Sequence, residues 1–103
     1  MLLDVRFLPN PHFVPRLRPF TGKDAKVRKY ILSFPQTREF LKRIESLLAY
    51  LMPHYIREGK SYLTIAFGCT GGKHRSVMMS EWLKPALERR RYSTKVIHRD
   101  IEK

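Results

Sequence analysis

The chain has 103 residues, which is enough for one small domain with a modest core. Its 43% hydrophobic and 12% aromatic content excludes a disordered basic tail, and no apolar run nears the roughly 18 residues of a membrane span. Lys and Arg number 21 against 9 Asp and Glu, a formal charge of +12, so the surface either meets a polyanionic or phosphorylated partner or is charged for solubility alone.

Residues 2–8 read as a first strand, stopped by Pro9-Asn10-Pro11. Asp4 and Arg6 share one face of it, with Val5 and Phe7 on the other. The polar pair either points into a crevice at the strand's carboxyl end or faces solvent on an edge strand. The start also argues against a signal peptide, because Asp4 and Arg6 follow almost at once. Residues 11–19 hold three prolines with Arg16 and Arg18, and are expected as an ordered loop across one end of the sheet.

Thr21-Gly22-Lys23-Asp24 resembles a capping box with aspartate in place of Glu or Gln, and predicts a short helix with Val27, Tyr30 and Ile31 on one face. Pro35 interrupts that pattern. From Gln36 onward, Phe40, Leu41, Ile44, Leu47, Leu48 and Leu51 form the strongest helical stripe of the chain, a core face. Pro53 is expected to kink or end this helix, and Gly59 to cap the segment beyond Pro53.

Residues 62–67 are apolar, β-branched and aromatic, and read as a second strand. It runs into Gly68-Cys69-Thr70-Gly71-Gly72-Lys73-His74-Arg75-Ser76. A helix comes next, in which Met78, Met79, Trp82, Leu83, Ala86 and Leu87 recur as a core stripe, with a kink expected at Pro85. Residues 93–98 make a third strand ending in His98-Arg99-Asp100. Strand, helix, strand implies a parallel pair with a right-handed crossover, so the loop after Phe67 and the residues after Ile97 emerge at one carboxyl edge. The expected fold is α/β: a small three-layer domain over residues 1–103, with a short, mainly parallel sheet flanked by helices.

The glycine-rich loop carries the chemistry. Its glycines let backbone N–H groups approach a bound group, and the helix start adds free donors and the positive end of the dipole. This is an anion site, with phosphate the usual occupant. Lys73, His74 and Arg75 add cationic side chains, of which arginine alone grips phosphate bidentately. The blander roles are a helix-capping His74, a locally bonded Ser76, and an Arg75 salt bridge to Asp4 or Asp100.

Nine Lys and Arg against two acids lie between residues 16 and 43. Arg16, Arg18, Lys23, Lys26, Arg28 and Lys29, with Lys73 and with Arg89, Arg90 and Arg91 at the last helix end, are the candidate RNA-binding set. The three terminal arginines also suit the helix dipole. Cys69 is the only cysteine, which rules out an internal disulfide and fits a reducing cytoplasm. His12, His54, His74 and His98 show no ligand spacing, so no metal or cofactor is expected.

Five blocks carry a resemblance: Asp4-Val5-Arg6-Phe7-Leu8-Pro9-Asn10-Pro11-His12, Leu17-Arg18-Pro19-Phe20-Thr21-Gly22, Ser61-Tyr62-Leu63-Thr64, the loop from Gly68 to Val77, and His98-Arg99-Asp100-Ile101-Glu102-Lys103. In that order they are similar to the C-terminal domain of the RapZ/YvcJ family. The resemblance implies an α/β fold likened to a sugar-phosphate-binding subdomain of phosphofructokinase. It implies binding of an amino-sugar phosphate such as glucosamine 6-phosphate, and a part in RNA binding, as in an RNase adapter that governs a small RNA. Carried over by residue, the ligand site comprises Asp4, Arg6, Asn10, Cys69, Thr70, Gly71, Gly72, Lys73, His74, Arg75, Ser76, His98 and Arg99.

Two departures stand out. The family's N-terminal domain is a P-loop, kinase-like unit, and no Gly-x-x-x-x-Gly-Lys-[Ser/Thr] occurs here, so its ATP/GTP activity does not carry over. A kinase-like or RNase partner protein is the expected complement. The chain also begins at the Asp-Val-Arg-Phe block, which leaves the sheet expected to be a strand short.

The same loop fits a second pattern, the Cys-x5-Arg-Ser spacing of the cysteine phosphatases, with Cys69 as nucleophile and Arg75 on the phosphate oxygens. Gly68 stands where those enzymes commonly place histidine, and no general-acid loop is recognisable. Binding without turnover is therefore the leading expectation, and a small cysteine phosphatase the alternative.

Overall fold

Three residues suffice for each strand of the sheet. In the computed structural model, which describes residues 1–69 and 73–98, β1 (Leu2–Asp4) pairs in parallel with β2 (Ala66–Gly68). The register sets Leu2 opposite Ala66, Leu3 opposite Phe67 and Asp4 opposite Gly68. Backbone bonds just beyond the strands, from Ala66 N–H to the Met1 carbonyl and from Val5 N–H to the Gly68 carbonyl, are each 2.8 Å long. Thr70, Gly71, Gly72, Arg99 and Asp100 lie outside the described residues. The helices are α1 (Ala25–Leu32), α2 (Pro35–Arg57) and α3 (Arg75–Arg89), and the whole is a compact α/β domain of the expected class.

The first strand is shorter than residues 2–8. The Asp4 carboxylate accepts the Arg6 backbone N–H at 2.9 Å, closing a turn that ends the strand. After that turn Val5 and Leu8, three apart, both enter the core, while Phe7 is left 55% exposed. The helix after Thr21 starts later than a Thr21 cap would place it. Asp24 is the N-cap, its side chain accepting the Lys26 N–H at 2.8 Å, and Thr21 holds only a local turn to Lys23.

Pro35 opens α2 at the first helical position, where a missing N–H costs nothing. Neither Pro53 nor Pro85 ends its helix. Both are exposed, α2 running on to Arg57 and α3 to Arg89. The α2 stripe buries Thr37, Leu41, Ile44 and Leu48, but leaves Leu47 43% exposed.

Residues 93–98 do not form a strand. Half-buried Thr94, Val96 and His98 alternate with exposed Ser93, Lys95 and Ile97, as the period of two requires, yet no backbone partner is in register with them among the described residues. Residues 62–65 likewise stay outside the ladder, because β1 reaches only as far as Ala66.

Two apolar clusters form the core. Val5, Leu8, Leu17, Val27, Ile31, Leu41, Met78 and Met79 make one, and Ile44, Leu48, Leu83 and Leu87 the other, with Phe40, Phe67 and Trp82 packed against both. Each fully buried Leu, Ile or Met contributes about 1.5–3 kcal/mol. Burial of Leu17 pins the loop of residues 11–22 across the amino end of α3, and Gly22 N–H bonds the Lys73 carbonyl there at 3.0 Å. At Gly22 an added Cβ would collide with the His74 carbonyl oxygen and the Met78 nitrogen, so only glycine permits this approach.

Candidate functional site

The carboxyl end of β2 faces the first turn of α3. Cys69, the residue after β2, donates its thiol to Ser76 Oγ at 3.3 Å, and the Ser76 backbone N–H donates to Cys69 Sγ at the same distance. One of the free donors of the helix start is thereby taken up by sulfur. Beside this pair opens a cavity of about 540 Å³, lined by Gly68, Cys69, Ser76, Ser80, Lys95 and His98 among others. His98 is fixed by Glu81 of α3: Nε2 lies 2.6 Å from Oε1, with the imidazole side chain only 9% exposed. Lys23 approaches the same oxygen at 3.9 Å.

Three residues marked in the sequence, Cys69, Ser76 and His98, therefore meet on one cavity. Ser80 and Lys95 join them unannounced. Ser80 lies one helical turn beyond Ser76, whereas Lys95 lies three residues before His98, so both reach the cavity only once the helix face and the extended segment are placed.

The other marked residues that lie among those described are engaged elsewhere. Asp4 and Arg6 form an exposed ion pair at 2.6 Å, and the Arg6 hydrogen bonds draw the Asp4 carboxyl down to about 2. Asn10 accepts the His12 N–H at 3.1 Å and caps the short turn Pro11–Phe13. Arg75 is 4% exposed; its Nη1 donates to the Arg6 carbonyl at 2.5 Å and the Leu8 carbonyl at 3.3 Å. It makes no salt bridge with Asp4, because the Arg6 side chain already occupies that carboxylate. Lys73 Nζ donates to the Arg18 carbonyl at 2.9 Å. His74, 6% exposed, is the N-cap residue of α3 but makes no side-chain capping bond. Burial pushes its imidazole below the usual histidine range, against the pull of the Arg18 and Phe20 carbonyls, and its Nε2 has no partner among the described residues.

The basic residues divide by their surroundings. Arg16, Lys26, Lys29 and Tyr30 line one concavity of about 550 Å³, while Arg28 and Lys29 line a second. Lys26 Nζ sits 4.6 Å from the Phe20 ring centre. Arg18 is turned onto the His12 carbonyl at 2.7 Å. Arg89, Arg90 and Arg91 are exposed at the end of α3, with Arg90 reaching Glu45 at 3.7 Å. Among the described residues no three His, Cys, Asp or Glu gather into a metal site, and no helix is long and apolar enough to cross a membrane.

Comparison with known proteins places the sequence in a family. Residues 1–102 match the RapZ C-terminal domain. A nucleotide-binding protein of Koribacter versatilis is 68% identical over all 103 residues, which cover 34% of its own length. Nucleotide-binding proteins of Solibacter usitatus and Acidobacterium capsulatum are 60% and 59% identical, again matched over 32% and 33% of their lengths. The chain spans about a third of the curated relatives it matches. On a family match over nearly every residue, the chain belongs to the RapZ C-terminal domain family.

Proposed function

We propose that this domain binds a phosphorylated amino sugar without turnover, and that it serves as an RNA-binding regulatory adapter. The observation that supports the first part is the convergence of Cys69, Ser76, Ser80, Lys95 and His98 on one cavity between the end of β2 and the start of α3. A phosphate there meets the Lys95 ammonium, the hydroxyls of Ser76 and Ser80 and the positive end of a helix, a setting that favours an anion. The Glu81–His98 pair offers the polar partners that hydroxyl or amino groups of a sugar require.

The phosphatase alternative has one observation in its favour, the contact of Cys69 with the Ser76 hydroxyl. Against it, Arg75 directs Nη1 to the Arg6 and Leu8 carbonyls, whereas that chemistry needs the arginine on the phosphate oxygens. The adapter role rests on the net charge and the family, and would be exerted on a kinase-like or RNase partner in the cytoplasm.

Titration of isotope-labelled domain with glucosamine 6-phosphate, followed by NMR, tests the site. The amide shifts should cluster at Gly68, Cys69, Ser76, Ser80, Lys95 and His98. Shifts confined to another surface would remove this cavity from the account.

A further inference from the structure

We infer that the cleft between residues 61–68 and residues 92–98 takes up an extended peptide of alternating apolar and acidic residues, added as a strand between these two segments.

Both walls of the cleft have the side-chain pattern of strands and lack the pairing. Leu63, Ile65 and Phe67 are half-buried, with exposed Thr64 and Ala66 between them, and Thr94, Val96 and His98 alternate in the same way with Ser93, Lys95 and Ile97. β2 is bonded along one edge only, by β1. Among the described residues, no backbone N–H of residues 61–65 or 93–98 finds an acceptor. Rows of free backbone groups call for partners at a regular spacing. A small molecule satisfies one or two of them, whereas a strand satisfies the row, which is how an extended peptide adds to the edge of a sheet.

The space between the walls suits such a chain. One cavity of about 360 Å³ runs from the end of α2 to residues 92–96, and Met52, Ile56, Leu83 and Leu87 give it an apolar floor. It adjoins the cavity at Cys69 and Ser76, with which it shares Leu63, Ile65, Phe67, Ser80 and Lys95. The two therefore form one continuous cleft along residues 63–68. Every second side chain of an added strand faces the floor, and those between face outward. Lys60, Lys84 and Lys95 line the first cavity, and among the described residues no Asp or Glu does. Carboxylates at the intervening positions of the peptide meet this charge, and a basic peptide is repelled by it.

The probe is a short fluorescent peptide of alternating Glu and Val, titrated into the chain by anisotropy, with amide hydrogen exchange read in parallel. It should bind saturably and slow exchange at residues 63–67 and 93–98. The same peptide methylated on alternate backbone nitrogens keeps every side chain but cannot complete the ladder, so it should bind about tenfold or more weakly. A Lys/Val peptide should be weakened at least as much. Lys84→Glu should weaken the Glu/Val peptide about threefold, while Lys42→Glu, the same charge change outside the cleft, should stay close to wild type. Equal binding of the methylated or the Lys/Val peptide, or no binding of any, would overturn the inference. Slow exchange at residues 93–98 in the free chain would also overturn it: independent of protein concentration, it would mean that these residues close on β2 unaided, and rising with concentration, that a second copy fills the cleft.

Discussion

Gly22 and His74 are packed so closely that a single added carbon on Gly22 would collide with the His74 carbonyl oxygen. This approach, with the Gly22 to Lys73 backbone bond, fastens the loop of residues 11–22 to the start of α3. Gly22→Ala should therefore destabilise the domain by about 1–3 kcal/mol, the range for an overpacked site. Gly68→Ala, with no atom within 4 Å of the new carbon, should stay within about 0.5 kcal/mol of wild type. Urea midpoints of the two variants measure the difference, and equal midpoints would mean the loop moves aside freely.

Arg75 acts in the fold before it acts in any site. Its guanidinium holds the carbonyls of Arg6 and Leu8, which shape the turn after β1. Arg75→Ala should lower unfolding stability by about 1.5–3 kcal/mol, the scale of charge-assisted hydrogen bonds removed from a buried position. Any loss of sugar-phosphate binding in that variant stems from this displacement as well as from the missing charge. A variant of unchanged stability would show that the turn stands without it.

Ser76 and Lys95 isolate the cavity from the fold, since neither is buried. Ser76→Ala and Lys95→Gln should each weaken glucosamine 6-phosphate binding about tenfold or more, with unfolding midpoints little changed. Undiminished affinity in both would place the ligand elsewhere.

The pH dependence of stability carries two signatures. His74 is held below its usual value of 6.5 by burial, so the unfolded chain takes up a proton there more readily than the folded one. Its contribution is complete above that value and is lost as pH falls through the usual histidine range. Asp4, drawn from 3.8 to about 2 by Arg6, adds stability that is present above 3.8 and disappears between there and about 2. Urea midpoints from about pH 8 down to 5 should fall for wild type and flatten for His74→Gln. A slope that survives in His74→Gln would assign the effect to another group.

Thr37 offers the opposite sign. It is fully buried in the first turn of α2, and its hydroxyl has no partner among the described residues. Thr37→Val keeps the shape and removes the unpaired group, so thermal stability should rise, by about 1 kcal/mol. A fall would reveal a hydrogen bond made by that hydroxyl.

Legibility in the sequence tracked the range of the interaction. The α2 stripe of Leu41, Ile44 and Leu48, the α3 stripe of Met78, Met79 and Leu83, and the strand–loop–helix order around Cys69 depend on local periodicity, and were readable. Strand extent was not, because a strand needs a partner: residues 93–98 alternate correctly but lie outside the ladder, and the Asp4 side chain ends β1 early. Loop packing was equally hidden. Nothing local says that Gly22 rests on His74, or that Arg75 turns to the carbonyls of Arg6 and Leu8, almost seventy residues away in the chain. In the cavity, Cys69 and His98 announced themselves by type, whereas Ser80 and Lys95 are visible only once the helix face and the extended segment are placed.

The most direct test of the central claim is calorimetric titration of the domain with glucosamine 6-phosphate beside inorganic phosphate, with assay for released phosphate. Saturable binding, tighter than that of phosphate alone and with nothing released, is the expected result. Binding no tighter than phosphate, or phosphate release that disappears in Cys69→Ser, would contradict it.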